Sequence, residues 1–194
     1  YRKTWDGDLT SFLTMMSSQL TLMRELLEPT GSVWVHVDDE AGHYVKVLLD
    51  EIFGRSCFIN QIIWHYGDKI QGNVNRYADN HNMILVYGRN ENVPLDRIKV
   101  PLAKPVKRDR RAWSKEEKAI RAVRDETGKI IYDVYHDKDA DNVWELMAEP
   151  HIWEIGQSGV KQPRNKEYWG YETQKPLELL RRIIESGSKE DELV

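Results

Sequence analysis

Between residues 9 and 88 the spacing of apolar residues changes repeatedly, and that alternation constrains the fold more than any other feature. In LTSFLTMMSSQLTLMRELLE, residues 9 to 28, Leu9, Phe12, Leu13, Met16, Leu20, Met23 and Leu27 recur at intervals of three and four. Such a pattern predicts a helix with one apolar face, packed through Phe12, Met16, Leu20 and Met23. Asp8 stands where an N-cap is needed, and Pro29-Thr30-Gly31 must end the helix. SVWVHVDD, residues 32 to 39, is short and β-branched and reads as a strand. EAGHYVKVLLDEIF, residues 40 to 53, returns to helical period and stops at Gly54. FINQIIWHY, 58 to 66, and NMILVYG, 82 to 88, are two further strands. Helix, strand, helix, strand predicts an α/β fold, with the first 90 residues as one half of a doubly wound sheet.

After Asn90 the periodicity dissolves. SKEEKAIRAVR, 114 to 124, reads as a short helix and KIIYDVYH, 129 to 136, as a strand, followed by VWELMAEPHIWEIG with its two Trp. At the end, Pro176 starts an amphipathic helix that Thr173 or Gln174 can cap. Leu193 and Val194 read as the first residues of a buried strand.

Composition narrows the partners. Net charge is -4, yet residues 97 to 124 hold eleven Lys or Arg against three acids, so this stretch is +8 and the remainder -12. That asymmetry points to a polyanion for one lobe only. Seven Trp and nine Tyr exceed what a bland core needs. Cys57 is the single cysteine, which excludes an internal disulfide and a cysteine-rich zinc cage and suits a reducing cytoplasm, with the thiol in the core. No apolar run reaches the roughly 18 residues of a membrane span, so no membrane partner is expected.

Three groups of residues can carry chemistry. The strand ending VHVDDE places His36 and Asp38 at a sheet edge, where ligands bind in parallel sheets. They can form a polar site there, or two ligands of a non-haem iron centre. Alternatively, Asp38 and Asp39 cap the next helix and His36 is a satisfied core residue. Lys175, just ahead of a helix start, adds a cation to an end that is already positive, which reads as an anion or carboxylate site, against a lysine merely in solvent. In the basic stretch, Lys104, Lys107, Arg108, Arg110 and Arg111 can neutralise phosphates and Trp113 can stack on bases, against a solvated face laced with ion pairs.

Four stretches together resemble the DNA amino-methyltransferases, which methylate adenine N6 or cytosine N4: LMRELLEPTGSVWVHVDDEAGHYVKVLLDEIFG (22 to 54), FINQIIWHY (58 to 66), HNMILVYGR (81 to 89) and GYETQKPLELLRRIIESGS (170 to 188). Their order is that of the permuted β-class branch. The resemblance implies an incomplete Rossmann-like, S-adenosylmethionine-dependent methyltransferase fold. Its core would occupy 1–89 and 167–194, and a target-recognition insertion 90–166. It implies that the catalytic Asp-Pro-Pro-Tyr loop lies before Tyr1 and the glycine-rich cofactor loop after Val194, so no catalytic residue is assigned, and no metal ligand either. Tyr171, Thr173, Gln174, Lys175 and Pro176 would line the cofactor pocket, with Glu172 departing from the Pro common at that step. His36, Asp38, Trp64, His65 and Tyr66 would flank the cofactor or a flipped base, and Lys104, Lys107, Arg108, Arg110, Arg111 and Trp113 the DNA. Expected partners are double-stranded DNA and either a second copy or a restriction subunit, in a cytoplasmic restriction-modification system. Adenine is the more common target in this branch. A non-catalytic DNA-binding remnant and a His/Asp iron enzyme are the alternatives.

Overall fold

The computed structural model describes residues 8–66, 75, 77, 79–146, 153–155, 161–163 and 174–194, the short segments 153–155 and 161–163 as backbone only. The chain divides into two compact units, one formed by 1–96 with 141–194 and the other by 97–140.

In the first unit, α1 (Leu9–Leu26) begins at Asp8, whose carboxylate accepts from Ser11 N. It ends one turn before Pro29, and Leu20 is its one fully buried side chain. Phe12, Leu13, Met16 and Leu27 pack partly against the core. Met23 does not: it is 46% exposed, because the buried stripe of the helix is narrower than its apolar sequence stripe. Strand β1 (Ser32–Val37) leads into α2 (Asp39–Phe53), which Asp38 caps by accepting from Ala41 N. Helix α2 stops at Gly54, where φ is +93°, a conformation that costs glycine little. A 3-10 turn (Arg55–Cys57) then feeds β2 (Phe58–His65), and Cys57 is buried as expected.

The sheet is mixed and not the parallel half-sheet that the alternation predicts. Its order is β1, β3 (His81–Gly88), β2, β8 (Val143–Glu145). β3 lies antiparallel to both β1 and β2, and only β8 runs parallel to β2. Alternating residues divide the faces. Val37, Met83, Leu85 and Tyr87 meet α1 and α2 through Leu20, Val45, Leu49 and Phe53. Ile62, Trp64, Tyr66, Ile84, Val86 and Trp144 meet Leu179 and Ile183 of α3 (Leu177–Gly187). Helices therefore cover both faces.

Thr173 lies outside the described residues, and helix α3 starts after Pro176, which holds the N-cap position and makes no side-chain cap bond. Its carbonyl instead accepts from Leu179 N and Leu180 N. Leu193 and Val194 form no strand and are 101% and 83% exposed, since no strand among the described residues pairs with them. Two three-residue strands, β9 (Trp153–Ile155) and β10 (Lys161–Pro163), pair with each other and with no other strand among the described residues.

The second unit is two ribbons. β4 (Lys99–Asp109) pairs with β7 (Tyr132–Asp139), and β5 (Arg111–Ser114) with β6 (Ala119–Ala122). The expected helix over 114 to 124 is thus a hairpin. Trp113 pairs with Ile120 across the strands, Lys118 takes φ +49° in the turn, and Glu117 N donates to Ser114 Oγ. An isolated helix of that length would have no apolar partner to bury its face against, whereas the hairpin gains cross-strand pairing. Bonds from Arg110 N to Ile131 O, Val123 N to Arg110 O and Ile131 N to Val123 O join it to the ribbon. The unit spans 97–140, and Val143–Glu145, within the expected 90–166 insertion, pairs with β2 of the core sheet. None of residues 97–140 is buried.

Candidate functional site: a strand-end cluster and a basic ribbon

Strand alternation sends Trp64 and Tyr66 to the α3 face of the sheet, and antiparallel pairing with β3 brings Asn82 opposite Trp64. β1 supplies His36 opposite Ile84 on the same face. The result is a chain of polar contacts: Tyr66 Oη donates to Asn82 Oδ1 at 3.3 Å, and Asn82 Nδ2 lies 3.0 Å from His36 Nε2. The His36 and Trp64 rings are 5.6 Å apart and tilted, and Trp64 meets Tyr66 edge-on at 5.2 Å. Lys175, in the extended residues ahead of α3, places its ammonium 6.0 Å from the Trp64 ring centroid. Pro176, the next residue, is fully buried.

Among the described residues, two buried polar atoms at this edge find no hydrogen-bond partner: the indole N–H of Trp64 and the amide oxygen of Asn80. Asn80 is held beside β2, its carbonyl accepting from Tyr66 N at 2.9 Å. An unsatisfied buried donor or acceptor typically costs about 1–3 kcal/mol, and such orphans mark places where another group completes the bonding.

The structure therefore gathers His36, Trp64, Tyr66 and Lys175, and adds Asn80 and Asn82, which periodicity alone did not single out. Asn82 was legible only through pairing: it is the second residue of β3, opposite Trp64 near the end of β2. Asp38 and His65 stay apart from the cluster. Asp38 caps α2, and His65 faces Glu145 of β8, its Nδ1 3.9 Å from a carboxylate oxygen. His36 is exposed and not a core residue. Gln174 is partly buried ahead of α3, while Tyr171 and Thr173 lie outside the described residues. Among the described residues no group of three or more His, Cys, Asp or Glu is placed to hold a metal ion.

On the ribbon, Arg110 gives Nε and Nη2 to Asp133, the shortest contact being 2.5 Å, and Arg111 Nε donates to Asp109 at 2.9 Å. The hydrogen bond and charge of Arg110 hold the Asp133 carboxyl below its ordinary range. Lys107 lies over the Tyr132 ring at 4.5 Å. Lys104 and Arg108 are exposed, and Trp113 is 62% exposed. No helix among the described residues is long and apolar enough to cross a membrane.

The DNA methylase family model matches residues 2–194. The type II methyltransferase M.EcaI of Enterobacter cloacae is 36% identical over 103 residues, covering 52% of this chain and 22% of that protein. The StyLTI Mod subunit, a type III restriction-modification enzyme of Salmonella typhimurium, is 30% identical over 80 residues, 41% of this chain and 12% of that subunit. M.KpnI, a type II methyltransferase of Klebsiella pneumoniae, is 27% identical over 94 residues, 46% of this chain and 22% of that protein. The chain thus spans less than a quarter of the length of these curated relatives. With its family match running from Arg2 to Val194, over a mixed sheet clothed by helices on both faces, the chain belongs to the DNA methylase family of amino-methyltransferases.

Proposed function

We propose that this chain is part of a site-specific DNA methyltransferase of a restriction-modification system, acting on an exocyclic amino group, adenine N6 before cytosine N4, of a base flipped out of the duplex. The core unit, in this reading, is a Rossmann-like methyltransferase half, and the ribbon unit lies within the target-recognition insertion. S-adenosylmethionine, when bound, supplies the methyl group. The observation that carries the reading is the orphaned donor of Trp64 beside Lys175, together with the orphaned acceptor of Asn80, whose backbone is bonded to Tyr66. The cation suits the cofactor's carboxylate, and the orphan pair suits a nucleoside or base edge, which offers both donors and acceptors. Gln174 and Pro176, and with them Tyr171 and Thr173, would complete that wall, while His36 and Tyr66 flank it. Flipping is needed because the target amino group is otherwise held in base pairing.

The partner is double-stranded DNA, with a second copy or a restriction subunit as a further partner, in the cytoplasm. On the ribbon, Arg110 and Arg111 are already engaged by carboxylates, so Lys104 and Arg108 are the cations most available to phosphates. The test uses the full-length gene product. It should transfer labelled methyl groups from S-adenosylmethionine to duplex DNA, and Lys175→Ala should weaken cofactor binding. Lys104→Ala with Arg108→Ala should flatten the log-log salt dependence of DNA affinity by about two units, at about 0.9 per phosphate. DNA binding without methyl transfer or cofactor affinity would leave the DNA-binding remnant as the correct reading. Neither activity would refute both.

A further inference from the structure

The β5–β6 hairpin carries a surface that phosphate contact does not use. Its register pairs Arg111 with Ala122 and Trp113 with Ile120, so these four residues share one face. Trp113 and Ile120 are 62% and 59% exposed. A tryptophan left in water on a two-stranded ribbon adds little to the fold, because such a ribbon has no second layer to bury it. Arg111 stands two residues before Trp113 on the same face. Its Nε is committed to Asp109 at 2.9 Å, which fixes the guanidinium plane and leaves its two terminal nitrogens as a parallel pair of donors. Arg110, by contrast, spends both Nε and Nη2 on Asp133. Residues 110–124 hold six Lys or Arg against two acids.

An exposed apolar pair beside an arginine, on a segment with a surplus of cations, is unlike the core of a protein–protein interface, where charged residues are depleted. It matches a duplex, whose phosphates flank grooves lined by base edges and thymine methyl groups. A two-stranded ribbon fits a major groove about 12 Å wide, and a planar pair of N–H donors matches the O6 and N7 acceptors of guanine. We propose that the Arg111–Trp113–Ile120 face of this hairpin is the base-reading element of the unit, Arg111 addressing a guanine and Trp113 with Ile120 making apolar base contacts. The inference rests on the DNA reading above and goes beyond it, since it separates residues that read sequence from residues that only hold the backbone.

The experiment binds the full-length protein to short duplexes with a randomised centre, sequences the bound fraction, and then titrates the preferred duplex and one with its guanine replaced. Arg111→Lys keeps the charge and removes the fork. It should shrink the preference for the guanine-bearing duplex by roughly 5- to 150-fold while leaving the salt slope unchanged. Trp113→Ala and Ile120→Thr, both at exposed positions, should lower affinity for the preferred duplex without weakening binding to unrelated DNA. Arg108→Ala should weaken every duplex alike. If Arg108→Ala behaves so while Arg111→Lys and Trp113→Ala keep the parent's sequence preference, the inference is overturned and the DNA reading stands. Uniform loss across all duplexes in Arg111→Lys also overturns it, by making Arg111 a phosphate contact. A parent protein that binds no duplex overturns both.

Discussion

Removing the hydroxyl of Tyr87 tests how α2 is locked to the sheet. Tyr87 is fully buried near the end of β3, and its hydroxyl donates to Asp50 Oδ1 at 2.6 Å. The same carboxylate accepts from Lys46 Nζ at 2.8 and 2.7 Å, and that ammonium lies 4.6 Å over the Phe58 ring. Burial pushes the Asp50 carboxyl up, but the bonds from Lys46 and Tyr87 and the charges of Lys46 and Arg55 outweigh it, leaving it below its ordinary value. Burial first, then the bond to Asp50 and its charge, pushes the Tyr87 phenol well above its ordinary range. A hydrogen bond to a charged group is worth about 1.5–3 kcal/mol. Because the Asp50 side chain is 26% exposed and keeps Lys46, Tyr87→Phe should fall at the low end, about 1.5 kcal/mol. Asp50→Ala should cost about 3 kcal/mol, because it strands the buried phenol as well as losing the ion pair. Urea unfolding at constant m-value measures both. The sign with pH follows: the Asp50 contribution is present above the ordinary carboxylate range and lost as pH falls through its depressed folded value. The Tyr87 contribution is lost as pH rises above about 10. A Tyr87→Phe midpoint equal to that of the parent, or an Asp50→Ala cost no larger than that of Tyr87→Phe, would refute the lock.

Leu20→Ala should lower unfolding free energy by about 2–5 kcal/mol. Met23→Ala, at a 46% exposed position of the same helix, should change it by less than about 1 kcal/mol in the same denaturation assay. Trp64→Phe trades lost volume against removal of the orphaned donor, so stability should move by less than about 1 kcal/mol while S-adenosylmethionine binding, followed by calorimetry on the full-length protein, weakens by about fivefold or more. Hydrogen bonds from Arg181 first, against burial and with further help from Arg182, hold the Glu178 carboxyl down to about 2. Its contribution is therefore present above about 4.5 and lost as pH falls toward 2. Glu178→Gln should flatten acid denaturation in that window, by about 1 kcal/mol or less because Glu178 and Arg181 are largely exposed.

Local signals in the sequence determined the helices and their ends. Asp8 and Asp38 cap as read, Pro29 and Gly54 stop α1 and α2, and Cys57 lies in the core, because caps, breakers and periodicity act on neighbours within one turn. Three of the four core strands, all but β8, were also legible from their β-branched runs. Their directions were not. β3 enters antiparallel between β1 and β2, and that insertion depends on pairings between residues 16 to 56 positions apart, which no local period encodes. The same limit explains the hairpin over 111 to 122, where Glu117 and Arg121 suit a helix equally well and the Trp113–Ile120 pairing, with the bonds to Ile131, decides. At the strand ends the sequence offered His36, Trp64, Tyr66 and Lys175 as separate residues. Only the register brings Asn82 between His36 and Tyr66, sends Asp38 away to a helix cap, and leaves Trp64 and Asn80 with unmet hydrogen bonds, because which polar groups meet inside a protein is fixed by packing and not by spacing along the chain.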